Sequence, residues 1–384
     1  MSHYNECMRI AFAALLCGVT LQALAQTSSF QFHVFVSGRA VRVTSEPSWT
    51  KGGFGKFDVG AKEPDDTNTE YLATAQLGFD WKPMDWLLIH ADGIGRHEPS
   101  GVVGDNAGVV QAYVDIGTEK IRLRAGQFWL PTSRENVDPM WNSRYTITYS
   151  ALNSWIGQEV RPIGADVQWS PNFYFTVGAT AFRGNDTMGT VLADRGWVLG
   201  NRLSVYNEEI AVPPPDNITK PFGSDIDGEN GYSGRIRFQM PERALIQVTH
   251  VDNRSVIGAG APPSEPWKTK FDIVGAEAGT TSPNLVAGEW MKGDTTIGFP
   301  GGTFTVPFTT YYALVSRKQG SERYTARFEK FETGSAEQKK SNKATTLAWI
   351  HEANKSWRTA LEYVKITGDD PNGSMLTLEF RFAY

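Results

Sequence analysis

The last ten residues of the chain constrain its fold most strongly. From Met375 to Tyr384, apolar side chains alternate with polar or small ones, so one face of an extended strand is apolar while the other carries Glu379 and Arg381. In a soluble sheet an apolar strand face must meet a core, whereas lipid accepts it directly. Membrane-spanning barrel strands are about ten residues long and alternate in this way. The ending therefore predicts the closing strand of a transmembrane β-barrel.

The beginning of the chain predicts a signal peptide. Arg9 precedes an apolar run, residues 10–24, that closes on Ala23-Leu24-Ala25. A basic residue, a short apolar core and a small-residue cleavage site are the features of a secretory signal, and the run is too short for a membrane anchor. We therefore expect residues 1–25 to be a signal peptide and residues 26–384 to form one barrel domain.

Composition supports an envelope protein built from strands. Both cysteines, Cys7 and Cys17, lie in the predicted signal, so the mature chain has no disulfide and no thiolate metal site. No later segment contains 18 uncharged apolar residues, which excludes a helical membrane protein. The net charge of -5 is mild and indicates no nucleic-acid partner. With 38 glycines and 12% aromatic residues, the chain is typical of many short strands joined by turns.

Alternating hairpins recur along the chain and predict an all-β fold, a transmembrane antiparallel β-barrel of about 16 strands. The clearest begins at Tyr71, alternates to Trp81, turns at 83–85 and returns through Leu87. The predicted strands are 30–43, 71–81, 87–92, 110–116, 121–126, 163–169, 173–182, 232–240, 244–250, 270–279, 285–291, 311–318, 323–331, 343–350, 357–366 and 375–384.

Short turns alternate with long connections, as periplasmic turns and extracellular loops do in outer-membrane barrels. The predicted long connections are 45–68, 97–107, 129–158, 184–231, 252–269, 292–309, 332–342 and 367–374. Aromatic residues flank the short turns, which predicts a girdle at the headgroup level. These are Trp81, Trp86, Trp169, Phe173, Trp349 and Trp357. The alternative is cross-strand aromatic packing in a secreted soluble sandwich.

Charged residues on the inward faces predict a solute site. Arg122 and Arg124 lie on one strand directly before the segment 127–157. If that segment folds into the lumen, guanidinium groups near the constriction would hold carboxylate or phosphate-like solutes through paired hydrogen bonds. The predicted constriction and solute-binding residues are Arg122, Arg124, Arg134, Arg144, Glu135, Asp138, Arg235 and Arg237. The alternative is a solvated wall whose opposite charges pair across strands.

Two stretches carry a resemblance to a known family. Leu123-Arg124-Ala125-Gly126-Gln127-Phe128-Trp129-Leu130-Pro131, followed by Trp155-Ile156-Gly157-Gln158-Glu159-Val160-Arg161-Pro162-Ile163-Gly164, resembles the phosphate-selective porin O and P family of Gram-negative outer membranes. The resemblance implies a sixteen-stranded trimeric porin in which an arginine ladder and central lysines guide anions. Here only Lys270 is predicted as an inward lysine in mid-strand, and acidic residues share the lining.

The predicted function is passive diffusion of small hydrophilic solutes or ions through a water-filled barrel in the bacterial outer membrane. One alternative is a phosphate- or anion-selective channel; another is an adhesin or barrel enzyme acting through its loops, with 184–231 as a lid or binding surface. No Gly-x-Ser-x-Gly motif occurs, and the run Asp225-Ile226-Asp227-Gly228-Glu229 is interpreted as a solvated turn. We expect no enzyme activity, cofactor or metal; the expected partners are outer-membrane lipid, solutes and two further copies in a homotrimer.

Overall fold

The computed structural model describes residues 29–137, 139–213, 217–259, 265–279, 282–334 and 338–384. The predicted signal peptide, 1–25, lies outside these residues. Sixteen antiparallel strands close into one barrel, in which each strand pairs with the barrel strands before and after it in the chain and the last pairs with the first. Two further short strands form a separate sheet. The predicted fold class is thus confirmed.

The strands are β1 (Phe30–Thr44), β2 (Thr67–Met84), β3 (Leu87–His97), β4 (Ala107–Gly117), β5 (Ile121–Gln127), β6 (Ile163–Asn172), β7 (Phe175–Arg183), β8 (Ile210–Val212), β9 (Asn217–Thr219), β10 (Gly231–Met240), β11 (Ala244–Asp252), β12 (Lys268–Ala278), β13 (Asn284–Phe299), β14 (Gly302–Gln319), β15 (Glu322–Thr333), β16 (Lys340–Glu352), β17 (Trp357–Gly368) and β18 (Gly373–Ala383). Two α-helices lie in the connections, α1 (Ala151–Glu159) and α2 (Thr190–Arg195). Single 3-10 turns occupy Trp49–Lys51 and Pro139–Trp141. Among the described residues, no helix is both long enough and apolar enough to cross a membrane.

The first and last strands form the seam of the barrel. Their register runs from Phe35 opposite Ala383 to Thr44 opposite Ser374, and Val34 and Tyr384 exchange both backbone hydrogen bonds at 2.8 Å. Because lipid offers no partner to an open sheet edge, only a closed sheet satisfies these groups. The apolar side chains of β18 stay exposed on the outside, Phe380 at 57%.

Aromatic side chains surround the end of the barrel that carries the short turns. All six predicted girdle residues are exposed there: Trp81, Trp86, Trp169, Phe173, Trp349 and Trp357. Amphipathic rings favour the membrane interface, and short turns mark the periplasmic end of barrels of this type. We therefore refer to this end as periplasmic and to the opposite end as extracellular.

The predicted long loop 292–309 is wrong. β13 and β14 stay paired until Phe299 faces Gly302, which leaves a two-residue turn. The segment is rich in threonine, which is β-branched and favours extended backbone. Thr296 and Thr305 form a cross-strand hydrogen bond of 2.9 Å between their hydroxyl groups.

The inward orientation predicted for Lys270 is also wrong. Phe271, the next residue, faces the lumen and packs against Trp155, so Lys270 points outward. There its Nζ lies 3.8 Å from Asp294 Oδ2. Asp272, on the same outer face, accepts a 2.8 Å hydrogen bond from His250. These charges belong to the outer rim of the barrel and line no pore.

Candidate functional site in the barrel lumen

The segment 128–162 leaves the wall between β5 and β6 and fills the lumen. β5 and β6 pair directly along their whole length, so the segment adds nothing to the strand ladder. Ser150 caps the N-terminus of α1 by accepting a 3.2 Å hydrogen bond from the Asn153 amide, and every residue of α1 is buried. A nine-residue helix is thereby held inside the barrel.

Five of the predicted site residues lie together on one side of the lumen. We call Arg122, Arg124, Arg134, Arg235 and Arg237 the arginine cluster. Arg235 makes a two-pronged contact with Asp166 at 2.5 and 2.9 Å, and Arg124 makes one with Asp115 at 2.6 and 2.7 Å. Such paired hydrogen bonds are the strong form of an arginine–carboxylate contact.

The other three guanidinium groups are less fully paired. Arg122 donates a 3.1 Å hydrogen bond to the Gln168 side chain and lies 3.8 Å from Asp115, which Arg124 already occupies. Arg134 is 4.0 Å from Glu277. Arg237 donates to the hydroxyl of Thr176 at 3.3 Å. Each of these three arginines has a buried Nε without a hydrogen-bond partner among the described residues.

Two glycines make room for this arrangement. A Cβ at Gly178 would overlap the Arg235 guanidinium, and one at Gly275 would come within 3.1 Å of Arg134 Cγ. Gly178 lies on β7, opposite Arg235 on β10. The absence of a side chain at these two wall positions allows the arginines to lie flat against the sheet.

Arg144 lies apart from the cluster, at the periplasmic end of the lumen. It lines adjoining cavities of about 350 and 290 Å³ that reach the short turns. We call this space the periplasmic vestibule; its charged lining is Arg144, Lys318, Arg323, Glu352, Lys355, Arg358 and Arg381. Glu352 pairs with Lys318, and Arg358 pairs with Glu379 at 2.8 Å. Cations therefore predominate around the opening.

Glu135 follows Arg134 in the chain, but its side chain points away from the cluster to the opposite wall, where it pairs with Arg327 of β15. Arg327 also donates to the backbone carbonyls of Thr148 and Tyr149, at 2.8 and 3.1 Å, and to Glu329 at 2.8 Å. Each of these side chains is fully buried. The predicted site residue Asp138 lies outside the described residues.

Carboxylates on the same wall accept hydrogen bonds from backbone amides of the segment 128–162. Glu362 accepts hydrogen bonds from Ile147 and Thr148 at 2.6 and 2.9 Å, and Glu329 accepts one from Ala151 at 2.7 Å. At the tip of the segment, Arg358 donates to the Ser143 carbonyl at 3.1 Å. We call these far-wall contacts of β15 and β17, together with those of Arg327, the latch.

A hydrophobic core occupies the extracellular half of the lumen. Trp155 of α1 is its centre, with ring centroids 5.1 Å from Phe271, 5.4 Å from Phe308 and 6.0 Å from Trp197. The same buried cluster includes wall residues from opposite sides of the barrel, such as Val41 on β1 and Val251 on β11. We call it the inner core. It spans the lumen and closes its extracellular half.

The segment 184–230 packs against 128–162, and we call the two together the plug. Glu159 accepts backbone hydrogen bonds from Gly189 and Val191 at 3.2 and 3.0 Å and one from the Trp155 indole. Burial raises the pKa of Glu159 to about 7. The guanidinium carbon of Arg161 lies 4.4 Å from the Trp129 ring centroid and 4.3 Å from that of Phe222, and burial lowers its pKa to about 9.

Three carboxylates on the extracellular side have mutually close oxygen atoms, those of Asp186, Asp225 and Asp227. Each accepts a backbone hydrogen bond: Asp186 from Ile226 at 2.5 Å, and Asp225 from Gly228 at 3.0 Å. Asp227 accepts one from Val256, also at 2.5 Å. Their contacts order the turn between 225 and 229.

The latch and the inner core were not predicted from the sequence. One signal was present: Arg327, Glu329 and Phe331 share the inward face of β15, so this face changes from charged to aromatic toward the extracellular end. An aromatic residue on the inward face requires an apolar partner inside the barrel. Trp155 and its neighbours on the plug supply that partner.

Solved structures of outer-membrane proteins share the barrel fold of this chain. The outer membrane channel DcaP of Acinetobacter baumannii is similar at a TM-score of 0.61 and 11% identity, over 92% of this chain and 97% of that one. OmpF of Salmonella typhi, in complex with daunomycin, is similar at 0.60 and 10% over the same shares. An anion-selective porin from Comamonas acidovorans is similar at 0.58 and 10%, over 93% of this chain and 99% of that one.

No protein-family model matches the chain. No curated protein matches it. The resemblance to the phosphate-selective porin O and P family is therefore not confirmed at the level of that family. At these low identities the structural similarities show the fold, and the chain has the 16-stranded barrel fold of outer-membrane porins.

Proposed function

We propose that the protein is an outer-membrane channel through which small hydrophilic solutes diffuse passively. One observation carries the proposal: the strands present apolar side chains outward and charged, partly water-accessible side chains inward. Arg122, for example, keeps 34% of its side chain exposed inside the barrel. A charged, water-accessible lumen wall of this kind gives polar solutes a path across the bilayer, and no catalytic group is needed.

The arginine cluster and the vestibule favour anions among these solutes. Arg237 and Arg122 are incompletely paired, and cations predominate around the periplasmic opening. A lumen with excess positive charge attracts anions and repels cations. The porin from Comamonas acidovorans is likewise described as anion-selective.

Planar bilayer recording in a KCl gradient tests both parts of the proposal. We expect single-channel steps and a reversal potential displaced toward that of chloride. The double substitution Arg122→Gln with Arg237→Gln should move the reversal potential toward zero, while Arg317→Gln, which removes an exposed outward charge on β14, should leave it unchanged. An unchanged reversal potential in the double variant would refute anion selection by these arginines.

Self-association as a homotrimer is part of the proposal. On the outward faces of β1, β2 and β3, the small residues Gly38, Ala73 and Gly95 lie among larger apolar ones, and a Cβ at Gly38 or Gly95 would meet no atom within 4 Å. The open space beside these glycines allows close packing of barrels. Chemical cross-linking in detergent should give a ladder ending at three copies.

An adhesin or enzyme acting through the loops is the competing function. The 184–230 segment that it would use is largely turned inward, with Trp197 and Leu203 buried in the inner core. Absence of any conductance from correctly folded protein, in every variant described below, would favour this alternative.

A further inference from the structure

The plug closes the extracellular half of the lumen, whereas the proposed channel requires an open path. We propose that the plug is a gate, which leaves the β12–β17 wall as one unit when the barrel conducts, and that the latch, centred on Arg327, holds it closed together with the inner core. This inference rests on the proposed channel function. Three observations support it.

The barrel does not need the plug for its own closure. β5 pairs with β6 from Ile121 opposite Trp169 to Gln127 opposite Ile163, and β7 pairs with β10 in the same direct way. Both halves of the plug are therefore connections between strands that are already joined. Their departure breaks no hydrogen bond of the strand ladder.

The contacts of the latch are of a kind that water can replace. Apart from the ion pair of Arg327 with Glu135, the contacts of Arg327, Glu329 and Glu362 with the plug are mainly to backbone carbonyls and amides of residues 147–151, and water offers the same donors and acceptors. The wall beneath the latch is polar as well, with Thr346 and Glu289 on its inward face. A permanently closed barrel would gain more from apolar side chains here, whereas a wall exposed to solutes must be polar.

The two halves of the plug hold each other more closely than a pair of independent loops would. Besides the Glu159 contacts, Ser154 exchanges hydrogen bonds with the backbone of Gly200 at 3.1 Å, and Arg161 donates to the carbonyl of Ser204. A Cβ at Gly157 would lie 2.9 Å from Leu203 Cδ2. We therefore expect both halves to move together.

A pair of disulfides tests whether the plug must leave the wall. Both cysteines, Cys7 and Cys17, lie in the predicted signal peptide, so a mature chain without it has no thiol that competes with introduced ones. Gly275→Cys with Arg134→Cys would tie the plug to β12, because a Cβ at Gly275 lies 3.1 Å from Arg134 Cγ. Gly157→Cys with Leu203→Cys is the matched control, since it ties the two halves of the plug only to each other.

Conductance is recorded for both pairs before and after oxidation, with disulfide formation checked by thiol titration. We expect the wall-tethered pair to lose its channel steps on oxidation and to regain them with reductant, while the control pair conducts in both states. If the oxidised wall-tethered barrel conducts as well as the reduced one, the gate is refuted and the channel function stands. If oxidation silences the control pair, the halves do not move as one unit.

Arg327→Met tests the latch with a readout that does not depend on conductance. The rate at which a thiol reagent labels Ser154→Cys, buried in the plug, measures undocking directly. Removing one partner of a buried ion pair should raise this rate roughly 100-fold or more, and Arg317→Met on the neighbouring outward face should not change it. Heat-dependent gel mobility confirms that each barrel is folded; if Arg327→Met does not fold, Glu135→Gln removes the same pair from the plug side.

These experiments distinguish a failure of the gate proposal from a failure of the channel proposal. An unchanged labelling rate in both latch variants refutes the role of Arg327. Faster labelling without any conductance supports undocking at the latch and refutes the channel. Faster labelling together with more frequent opening in Arg327→Met is the result that we expect.

Discussion

The substitution Trp155→Ala should release the plug while leaving the barrel intact. Trp155 is 2% exposed, and its ring contacts Phe271 and Phe308 of the wall and Trp197 of the other half of the plug. Replacing a buried aromatic residue by alanine costs about 3–5 kcal/mol because the surrounding side chains cannot fill the cavity. All of this cost falls on docking, since Trp155 takes no part in the strand ladder.

Amide hydrogen exchange resolves the effect by region. A loss of about 3–5 kcal/mol should accelerate exchange in α1 (Ala151–Glu159) by roughly 100- to 5,000-fold, wherever local opening controls it. Exchange in β12 and β14, which carry Phe271 and Phe308, should change little. The control Trp155→Phe keeps an aromatic ring but loses the indole hydrogen bond to Glu159 and part of the ring volume, so its acceleration should be much smaller than that of the alanine variant, about tenfold.

Two results would contradict this reasoning. If the alanine and phenylalanine variants exchange at the same rate in α1, the ring contacts do not hold the plug. If β12 and β14 accelerate as much as α1 does, the inner core is part of the cooperative unit of the barrel, and the plug cannot leave without unfolding it.

Three further outcomes are expected. Burial raises the pKa of Glu159 to about 7, so the neutral carboxyl is favoured in the docked plug. Docking should therefore be strongest below about pH 4.5 and weaken as the pH rises through 7. The ratio of the wild-type to the Glu159→Gln amide exchange rate at Val191 should rise over that pH interval, and a constant ratio would contradict the assignment. Gly178→Val should displace Arg235 from Asp166, which would appear as an altered single-channel conductance, whereas Gly234→Val, at a site where a Cβ meets no atom within 4 Å, should leave it unaltered. Unheated protein should migrate differently from boiled protein on gels and should need detergent to stay dispersed, because side chains such as Phe380 are exposed on its outer face; full solubility without detergent would contradict the membrane orientation.

The alternation of apolar and polar residues along each strand was sufficient to predict the barrel but not the segments that fill its lumen. All sixteen barrel strands were predicted, because alternation with a period of two is a property of neighbouring residues. The prediction was wrong at Lys270 because β12 is apolar on its inward face at Phe271 and Ile273, where the inner core packs. A strand read alone gives no indication that its apolar face meets another part of the same chain inside the barrel.

The candidate site residues on strands were likewise easier to place from the sequence than those on connections. Arg122, Arg124, Arg235 and Arg237 lie on strands, so their inward direction followed from alternation, and the structure brings them together with Arg134. The positions of Glu135 and Arg144 depended on the path of a 35-residue connection through the lumen, which no periodicity encodes. That path is set by the partners that the segment meets on the far wall.

The sequence by itself determined the closed antiparallel sheet, since alternation directs apolar side chains toward lipid and the final strand completes the seam with Val34. Only the tertiary structure decided what fills the lumen. Arg327 meets Glu135 across 192 positions of the chain, and Trp155 meets Phe308 across the barrel. Contacts at such separations depend on the three-dimensional path of the chain, which no pattern of neighbouring residues encodes.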